Sequence, residues 1–392
     1  MAELRQNTWA LDEWYGQAVA GTTGGYQIQQ SLWAWGYDNY GAGGYNLHPE
    51  TSSPVQVGTD TDWSHVYDGV QGNLTNFYGK TDGTLWSSGY NSRGQMAQND
   101  RTGRSSPTQI PGTTWSTSSV VSRFTPVFPK TDGTLWGWGR NSFGELGLNS
   151  RVEHSSPVQV GSDTNWSSTV NLGNITTALK TDGTLWSWGY NEYGQTGNNS
   201  RTHTSSPTQI GTDTTWAKLP VSSTESTSGG NAAIKTDGTL WVWSRQYFSG
   251  MLGLNQTGNA GYRSSPTQVG TDTTWSNIAT GGVSTMATKT DGTMWMMGTN
   301  DAGQLGQNNR TQRSSPVQIP GTNWHLSEFR GIPEGSIAMK QDGTVWAWGN
   351  GSGGRRGLNS QVKYSSPVQL PAASGNSWTS IGGGAAVSGL QN

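Results

Sequence analysis

Apolar positions in this chain alternate with polar ones over short stretches. In Lys-Thr-Asp-Gly-Thr-Leu-Trp-Ser-Trp-Gly, residues 180–189, Trp186 and Trp188 fall on one face of a strand, because successive side chains of a strand point to opposite sides. The Asp-Gly just before them predicts a tight hairpin of type I′, in which both central residues take positive φ. The pattern recurs with its Asp at 82, 132, 182, 237, 291 and 342. A Ser-Ser-Pro follows each copy, with Pro at 54, 107, 157, 207, 266, 316 and 367, and then a further Trp at 63, 115, 166, 216, 275, 324 and 378.

The Pro spacings are 53, 50, 50, 59, 50 and 51 residues, which makes seven copies at a period in the range of propeller blades. Each copy divides into four short strands. Strand A ends at the Lys before the Asp-Gly, strand B is Thr-Leu-Trp-x-Trp-Gly, strand C is Ser-Pro-Val-Gln-Val with its Pro at a tolerated first or edge position, and strand D starts at the further Trp. Four antiparallel strands repeated seven times predict an all-β, seven-bladed propeller. The first copy has Gln29-Gln30-Ser31 where the others have the hairpin, and the last runs past Trp378 into residues 385–390 and stops. That tail reads as a strand A without a strand B, so it is expected to complete the first blade and close the ring.

Residues 1–25 lie outside the repeat and are read as an N-terminal arm or short helix, with the propeller over 26–392. Thr8 is placed to cap a short helix with Leu11, Tyr15 and Ala18 on one face and Trp14 beside them; the arm either lies on the body or anchors to a partner through Trp9, Leu11, Trp14 and Tyr15. Apolar residues make up 31% and charged residues 12%, a composition that alone suggests low complexity, but 21 Trp argue for a packed core. Because Leu, Ile and Val are scarce, Trp is expected to fill the contacts between blades. The absence of Cys excludes disulfides and thiolate chemistry, the net charge of −2 gives no field toward nucleic acid, and neither a signal peptide nor a membrane span is visible.

The run Asp-Gly-Thr-Leu-Trp-x-Trp-Gly-x-Asn-x-x-Gly-Gln-Leu-Gly followed by Ser-Pro, best seen at 132–147 and 291–306, resembles the regulator-of-chromosome-condensation repeat, and the resemblance covers residues 28–392. It implies a seven-bladed propeller. The family it resembles includes a Ran nucleotide-exchange factor that binds chromatin, a plant UV-B photoreceptor and many bacterial and phage proteins. The photoreceptor's Gly-Trp-Arg-His-Thr motif is replaced here by segments such as residues 281–285, Gly-Gly-Val-Ser-Thr, which hold neither Trp nor His.

No catalytic or metal-binding constellation emerges. The five His share no ligand-like spacing, and no nucleophile elbow, phosphate loop or dinucleotide fingerprint stands in a fitting context, so no cofactor and no enzymatic activity are expected. Lys80, Lys130, Lys180, Lys235, Lys289 and Lys340 would form a ring on one face, read as solvated turn residues neutralised by the Asp two positions on. Arg101, Arg151, Arg201 and Arg310 fall on the opposite face.

The 59-residue spacing is the main irregularity. Its extra residues fall before strand A and after strand B of the fifth blade, and so on one face, with Glu225, Tyr247, Phe248, Met251, Tyr262 and Arg263. Phe77, Tyr78, Phe124, Phe128, Phe329 and Arg330 are assigned to variable connections on that same face. Loops on a rigid scaffold are where binding concentrates, so this face is expected to meet a partner. The whole reads as a non-enzymatic binding or structural propeller of a tailed-phage virion (decoration, tail or fibre), contacting virion or cell-surface proteins or a glycan. The opening residues 7–15 are similar to the starts of marine phage structural proteins. The alternative is a bacterial protein-interaction or glycan-binding propeller, cytoplasmic or at the cell surface without a Sec signal.

Overall fold

The computed structural model describes residues 30–391 except 37, 39, 47–50, 70–74, 122–123, 224–229, 245–249, 257–262, 281–282, 333–334, 352–355, 372–377 and 384–385. The arm residues Trp9, Leu11, Trp14 and Tyr15 lie outside this set. Every described element is a β-strand, and the strands form the seven blades of a closed propeller. The blades are offset from the sequence copies. The Trp-led strand D does not end its own blade; it forms the innermost strand of the next one. Blade four runs Trp166–Asn171, Ile175–Lys180, Leu185–Gly189 and Thr204–Gln209 from axis to rim, each antiparallel to its neighbour.

This offset makes the ring closure deeper than a single added strand. Blade one takes two strands from each end of the repeat array, in the order Thr51–Gln56, Ser31–Gly36, Ala386–Gln391, Trp378–Gly383. Ser31 pairs with Gln391 and Gly36 with Ala386, so a full antiparallel ladder joins the first copy to the last.

The hairpin between strands A and B differs from expectation. Gly83, Gly133, Gly183, Gly238, Gly292 and Gly343 have φ between 76° and 79°, but none of the preceding Asp residues has positive φ. The loop has three residues, closed by Lys80 N to Thr84 O and Gly83 N to Lys80 O in blade two. That is a type I turn followed by a left-handed Gly, in which only the Gly needs positive φ. The Asp acts through its side chain: Asp82 Oδ1 accepts from Thr84 N at 2.9 Å and Thr84 Oγ1 at 2.6 Å.

The core is a set of seams. Seven buried clusters each draw mainly on a pair of adjacent blades; one joins Leu135, Leu146 and Val160 of blade three to Trp166, Ala178 and Trp188 of blade four. The second Trp of strand B reaches back across the seam. Trp138, Trp188, Trp243 and Trp348 donate their indole N–H to the carbonyls of Gln95, Glu145, Gln195 and Gln304 in the loop of the preceding blade, at 2.7–2.9 Å. Blades two and six have Ser88 and Met297 at this position, yet the corresponding carbonyl keeps a donor. Tyr78 and Ser88 both bond Ala42 O at 3.0 Å, and Thr285 bonds Met251 O at 2.8 Å. A buried carbonyl without a donor is costly, so the acceptor is served even where the indole is lost.

The Lys ring is not solvated in the expected way. Each ammonium lies over two indoles, as Lys180 Nζ does at 4.6 Å from Trp166 and 4.2 Å from Trp186. Its acid is not the turn Asp but one from the segment leading into strand D: Asp60 and Asp62 for Lys80, Asp163 for Lys180, Asp213 for Lys235 and Asp272 for Lys289.

Blade seven carries an exchange of residues at its B–C loop. In blades two, three, four and six an Asn holds this loop; Asn141 Nδ2 donates to Ser150 O and Val152 O, both at 3.0 Å. Here the Asn is Gly351, and the buried Leu146 position is Arg356. The guanidinium of Arg356 enters the space above Gly351 and donates to the equivalent carbonyls of Ser360 and Val362. Restoring Asn at 351 alone would clash with that guanidinium, and Arg356→Leu alone would strip two carbonyls of their donor at about 1–3 kcal/mol. Both single variants are expected to lower the urea midpoint, and Gly351→Asn with Arg356→Leu to recover most of the loss. Additive losses in this cycle would refute the exchange.

A second prediction concerns acid. Hydrogen bonds from Lys235 and Lys289, then from Thr215 and Thr274, hold Asp213 and Asp272 down to about 2. Depressed carboxylates add stability above their unfolded pKa of about 3.9, and that stability is lost as the pH falls through the folded value. The Asp213→Asn, Asp272→Asn chain is expected to show a urea midpoint that declines less steeply from about pH 4 to 2 than that of the parent.

Candidate functional site

The largest departures from blade symmetry meet at the propeller axis. In blade four, three positions separate Trp166 from the residue opposite Ala178; in blade seven, five separate Trp324 from the residue opposite Ala338. The two extra residues bulge from the strand Trp324–Ile332. His325 Nδ1 caps the bulge by accepting from the backbone N–H of Ser327 at 3.3 Å and Glu328 at 3.2 Å. Blade five departs differently. Its inner strand stops at Lys218, and the chain turns through Leu219, Pro220 and Val221 into Ser222–Ser223, which pairs in parallel with Ala279 and Thr280 of blade six. Val221 N donates to Ile278 O at 2.7 Å. This segment also touches the inner strands of blades two, four and seven, and so crosses the axis. In blade three, Ser119–Val121 pairs in parallel with blades two and four.

A cavity of about 440 Å³ remains on the side where the inner strands begin, walled by six blades. Its wall mixes hydroxyl and amide groups, among them Ser118, Ser167, Thr169 and Asn277, with the apolar Val120, Leu219, Pro220 and Val221, and four ionisable side chains stand on it: His65, Lys218, Glu328 and Arg330. Glu328 is fully engaged. Its Oε2 accepts from Ile381 N at 2.8 Å and Ser380 Oγ at 3.3 Å in blade one, and lies 3.5 Å from Arg330 Nη2. Arg330 also donates from Nη1 to Ser327 O at 2.6 Å and Phe329 O at 2.9 Å. Lys218 Nζ donates to Ser276 O at 2.7 Å, and loss of water around it lowers its pKa. The His65 ring meets Tyr67 edge-on at 4.6 Å. Burial lowers the His65 pKa to about 4; Glu328 opposes this and Arg330 adds to it. The imidazole is neutral at pH 7 and Arg330 has Glu328 beside it, whereas the partner described for Lys218 is a neutral carbonyl. Among the described residues no three His, Asp or Glu gather as metal ligands.

The residues singled out from sequence fall elsewhere, except Arg330, which is on this wall. Phe77, Tyr78, Phe128 and Phe329 are not in surface connections. They are fully buried strand residues, because the variable stretches before strand A end earlier than the spacing suggested. Met251 is likewise buried and serves through its carbonyl. Phe124 is half-buried under the guanidinium of Arg140 at 5.2 Å, and Arg263 opens the strand Arg263–Gln268 and donates to Gln256 Oε1 at 2.8 Å. Glu225, Tyr247, Phe248 and Tyr262 lie outside the described residues. His65, Lys218 and Glu328 were not anticipated. The available signal was the distance from the blade-leading Trp to its Lys: 14 residues in blades four and six, but 17, 19 and 16 in blades two, five and seven, whose inner strands carry them.

Four segments, residues 132–178, 182–223, 291–327 and 342–390, match the regulator of chromosome condensation (RCC1) repeat. The RCC1 domain-containing protein RUG3, mitochondrial, of Arabidopsis thaliana is 29% identical over 156 residues, 38% of this chain and 35% of that protein, so the chain matches about a third of that relative's length. Human WBSCR16 superposes with a TM-score of 0.78 at 17% identity, covering 93% of this chain and 99% of that one. Prp20p of Saccharomyces cerevisiae, described with its binding properties to Gsp1p and histones, also superposes at 0.78 and 17% identity, over 93% and 91%. At such identity the likeness is one of fold.

The neutral His65 gives a test of the cavity's electrostatics. A His depressed below its unfolded value near 6.5 binds fewer protons in the native state, so stability falls as the pH drops from about 6.5 to 4. His65→Gln is expected to flatten that part of the thermal-midpoint profile. An unchanged slope between pH 7 and 5 would place His65 in water.

Proposed function

We propose that this ring of regulator of chromosome condensation repeats is a non-enzymatic binding propeller that receives a protein partner over the mouth of the axial cavity. The carrying observation is the cavity's construction. Six blades contribute to one mixed polar and apolar wall, the inner strand of blade seven bulges by two residues beside it, the chain of blade five leaves its inner strand after Lys218 to cross it, and Lys218 supplies an ammonium met by a neutral carbonyl. A rigid frame with irregular chain concentrated at one place is the arrangement expected of a recognition surface. An acidic side chain from the partner suits Lys218, because a charge-assisted bond there would compensate the water it has lost. The likeness in fold to Prp20p, which is described as binding Gsp1p and histones, supports a protein as the partner class.

The setting we propose is the virion of a tailed phage, where the propeller serves as a decoration, tail or fibre component. Composition supports this: 57 Gly in a Ser-, Thr- and Asn-rich chain without Cys suits a stable extracellular particle protein. The resemblance of residues 7–15 to phage structural proteins points the same way.

The test places a photo-crosslinking phenylalanine at Ser118, an exposed residue of the cavity wall, and purifies particles from cells that carry the gene. The chain is expected to travel with the particles and to crosslink one structural protein, with the yield falling at least about tenfold in Lys218→Glu. Particles devoid of the chain would refute the virion setting. A crosslink indifferent to Lys218→Glu would refute the axial mouth as the binding surface.

A further inference from the structure

The rim holds a second feature, separate from the axis. In blades two, four, five and six, the ammonium lodged between two indoles meets an Asp carboxylate from the segment entering strand D; the distance is 2.8 Å in blade two and 2.6 Å in blade four. Blade three keeps the Lys and both indoles. Lys130 Nζ stands 4.8 Å from Trp115 and 4.9 Å from Trp136. Its entering segment, however, is Pro111-Gly112-Thr113-Thr114, one residue shorter than Gly-Ser-Asp-Thr-Asn at 161–165 and without an acid.

Gly112 shows where the acid would be. Its φ is +100°, and a Cβ built on it would point at Lys130 Nζ from 3.3 Å, with Trp115 Nε1 at 3.7 Å. A groove of about 430 Å³ lies beside it, lined by Asn99, Pro111, Trp115, Lys130, Trp136 and Pro157; the equivalent groove of blade two, about 420 Å³, has the carboxylate of Asp60 on its wall where this one has the ammonium of Lys130. Trp115 is 4% exposed, and its Nε1 has no acceptor among the described residues. The groove therefore offers an ammonium and the half-buried face of Trp136 on one side, while Trp115 Nε1 is buried as are those of Trp63, Trp166, Trp216, Trp275 and Trp324.

We propose that this groove binds a carboxylated sugar, with the sugar's carboxylate taking the position that Asp163 holds beside Lys180 in blade four. The carboxylate accepts from Lys130 Nζ. The apolar face of the ring covers Trp136, and the remaining hydroxyls meet Asn99 and solvent. Charge selects a carboxylate over a neutral sugar, since hydrogen bonds to charged groups contribute more than neutral ones. The flat aromatic wall selects a ring over a free carboxylate. Blade four is the internal comparison: its Lys is already matched by its own chain.

The experiment titrates the full chain with methyl glucuronide, methyl glucoside and acetate, read by calorimetry and by indole nitrogen shifts. Methyl glucuronide is expected to bind at least about tenfold more tightly than either of the others. In a chain that also carries Lys340→Met, which removes the other acid-free Lys between two indoles, Lys130→Met should abolish binding, and Lys180→Met should leave it unchanged. Replacing Pro111-Gly112-Thr113-Thr114 with Gly-Ser-Asp-Thr-Asn should also abolish it while retaining Lys130 and both Trp, with the thermal midpoint confirming the fold. Equal affinity for the glucoside, or full affinity in the segment-replaced chain, would overturn the carboxylate assignment. Acetate binding as tightly as the glucuronide would overturn the sugar, and response to Lys180→Met in place of Lys130→Met would move the site off blade three.

Discussion

The propeller depends on one repeated bond across each seam. A loop carbonyl of one blade faces into the boundary with the next and must find a donor there, because water is excluded. In four blades the donor is the indole of the second strand B Trp, which also fills the seam with the largest side chain available. The loop that presents the carbonyl is itself fixed from within. Gln95, Glu145, Gln195 and Gln304 each fold back to accept a backbone N–H of their own loop. Close approach is possible because the loop ends in Gly; at Gly147 a Cβ would stand 2.8 Å from Trp188 Nε1. Packing and hydrogen bonding are thus one constraint, and a chain with only 31% apolar residues can afford few large side chains elsewhere.

Each seam involves neighbours, so stability is passed around the ring and no blade is complete alone. Closure by a two-and-two blade follows from this. A strand added at the rim would leave the last seam without its aromatic partner. Bringing Trp378–Gly383 into blade one places Trp378 against Trp35 at 5.4 Å, and gives that seam the same pair of rings as blades three, four, five and seven. The offset between copy and blade is the means of closure.

Much of this was legible in the sequence, because it repeats. Seven copies, four strands each and a tail that completes the first blade all follow from spacing. What was misread came from local rules applied without the neighbouring strand. Asp-Gly suggests a two-residue turn, but Lys80 pairs with Thr84 and the loop is one residue longer, so the Asp contributes its carboxylate instead of a positive φ. Phe77, Tyr78 and Phe329 looked like loop residues because the stretches before strand A vary in length; the variation ends before them, and they are core. The Lys ring looked neutralised by the Asp two residues on, but a hairpin turns that side chain away, and the acid comes from the strand entering the blade. Glu328 and Lys218 carried no motif at all. Their significance comes from the axis, where residues from six copies face one another, and no single copy contains that information.

Function in such a ring is best sought in what the copies do not share. The aromatic seam and the hairpin carboxylate recur because every blade needs them, and their repetition explains them. Two kinds of departure remain. At the axis, blade seven bulges its inner strand by two residues, blades two and five are longer beyond the paired part of theirs, after Tyr67 and Lys218, and the added chain of blade five pairs with blade six. At the rim, blades three and seven lose the acid that the others place beside their Lys; Lys340, over Trp324 and Trp346, follows Pro320-Gly321-Thr322-Asn323 just as Lys130 follows its acid-free segment. Neither departure strengthens the ring. An extra residue on an inner strand interrupts a ladder, and an ammonium deprived of its carboxylate forgoes a charge-assisted bond. Features that reduce stability on a frame otherwise devoted to it are the ones whose retention calls for a ligand, and here they fall at concave places of the described surface.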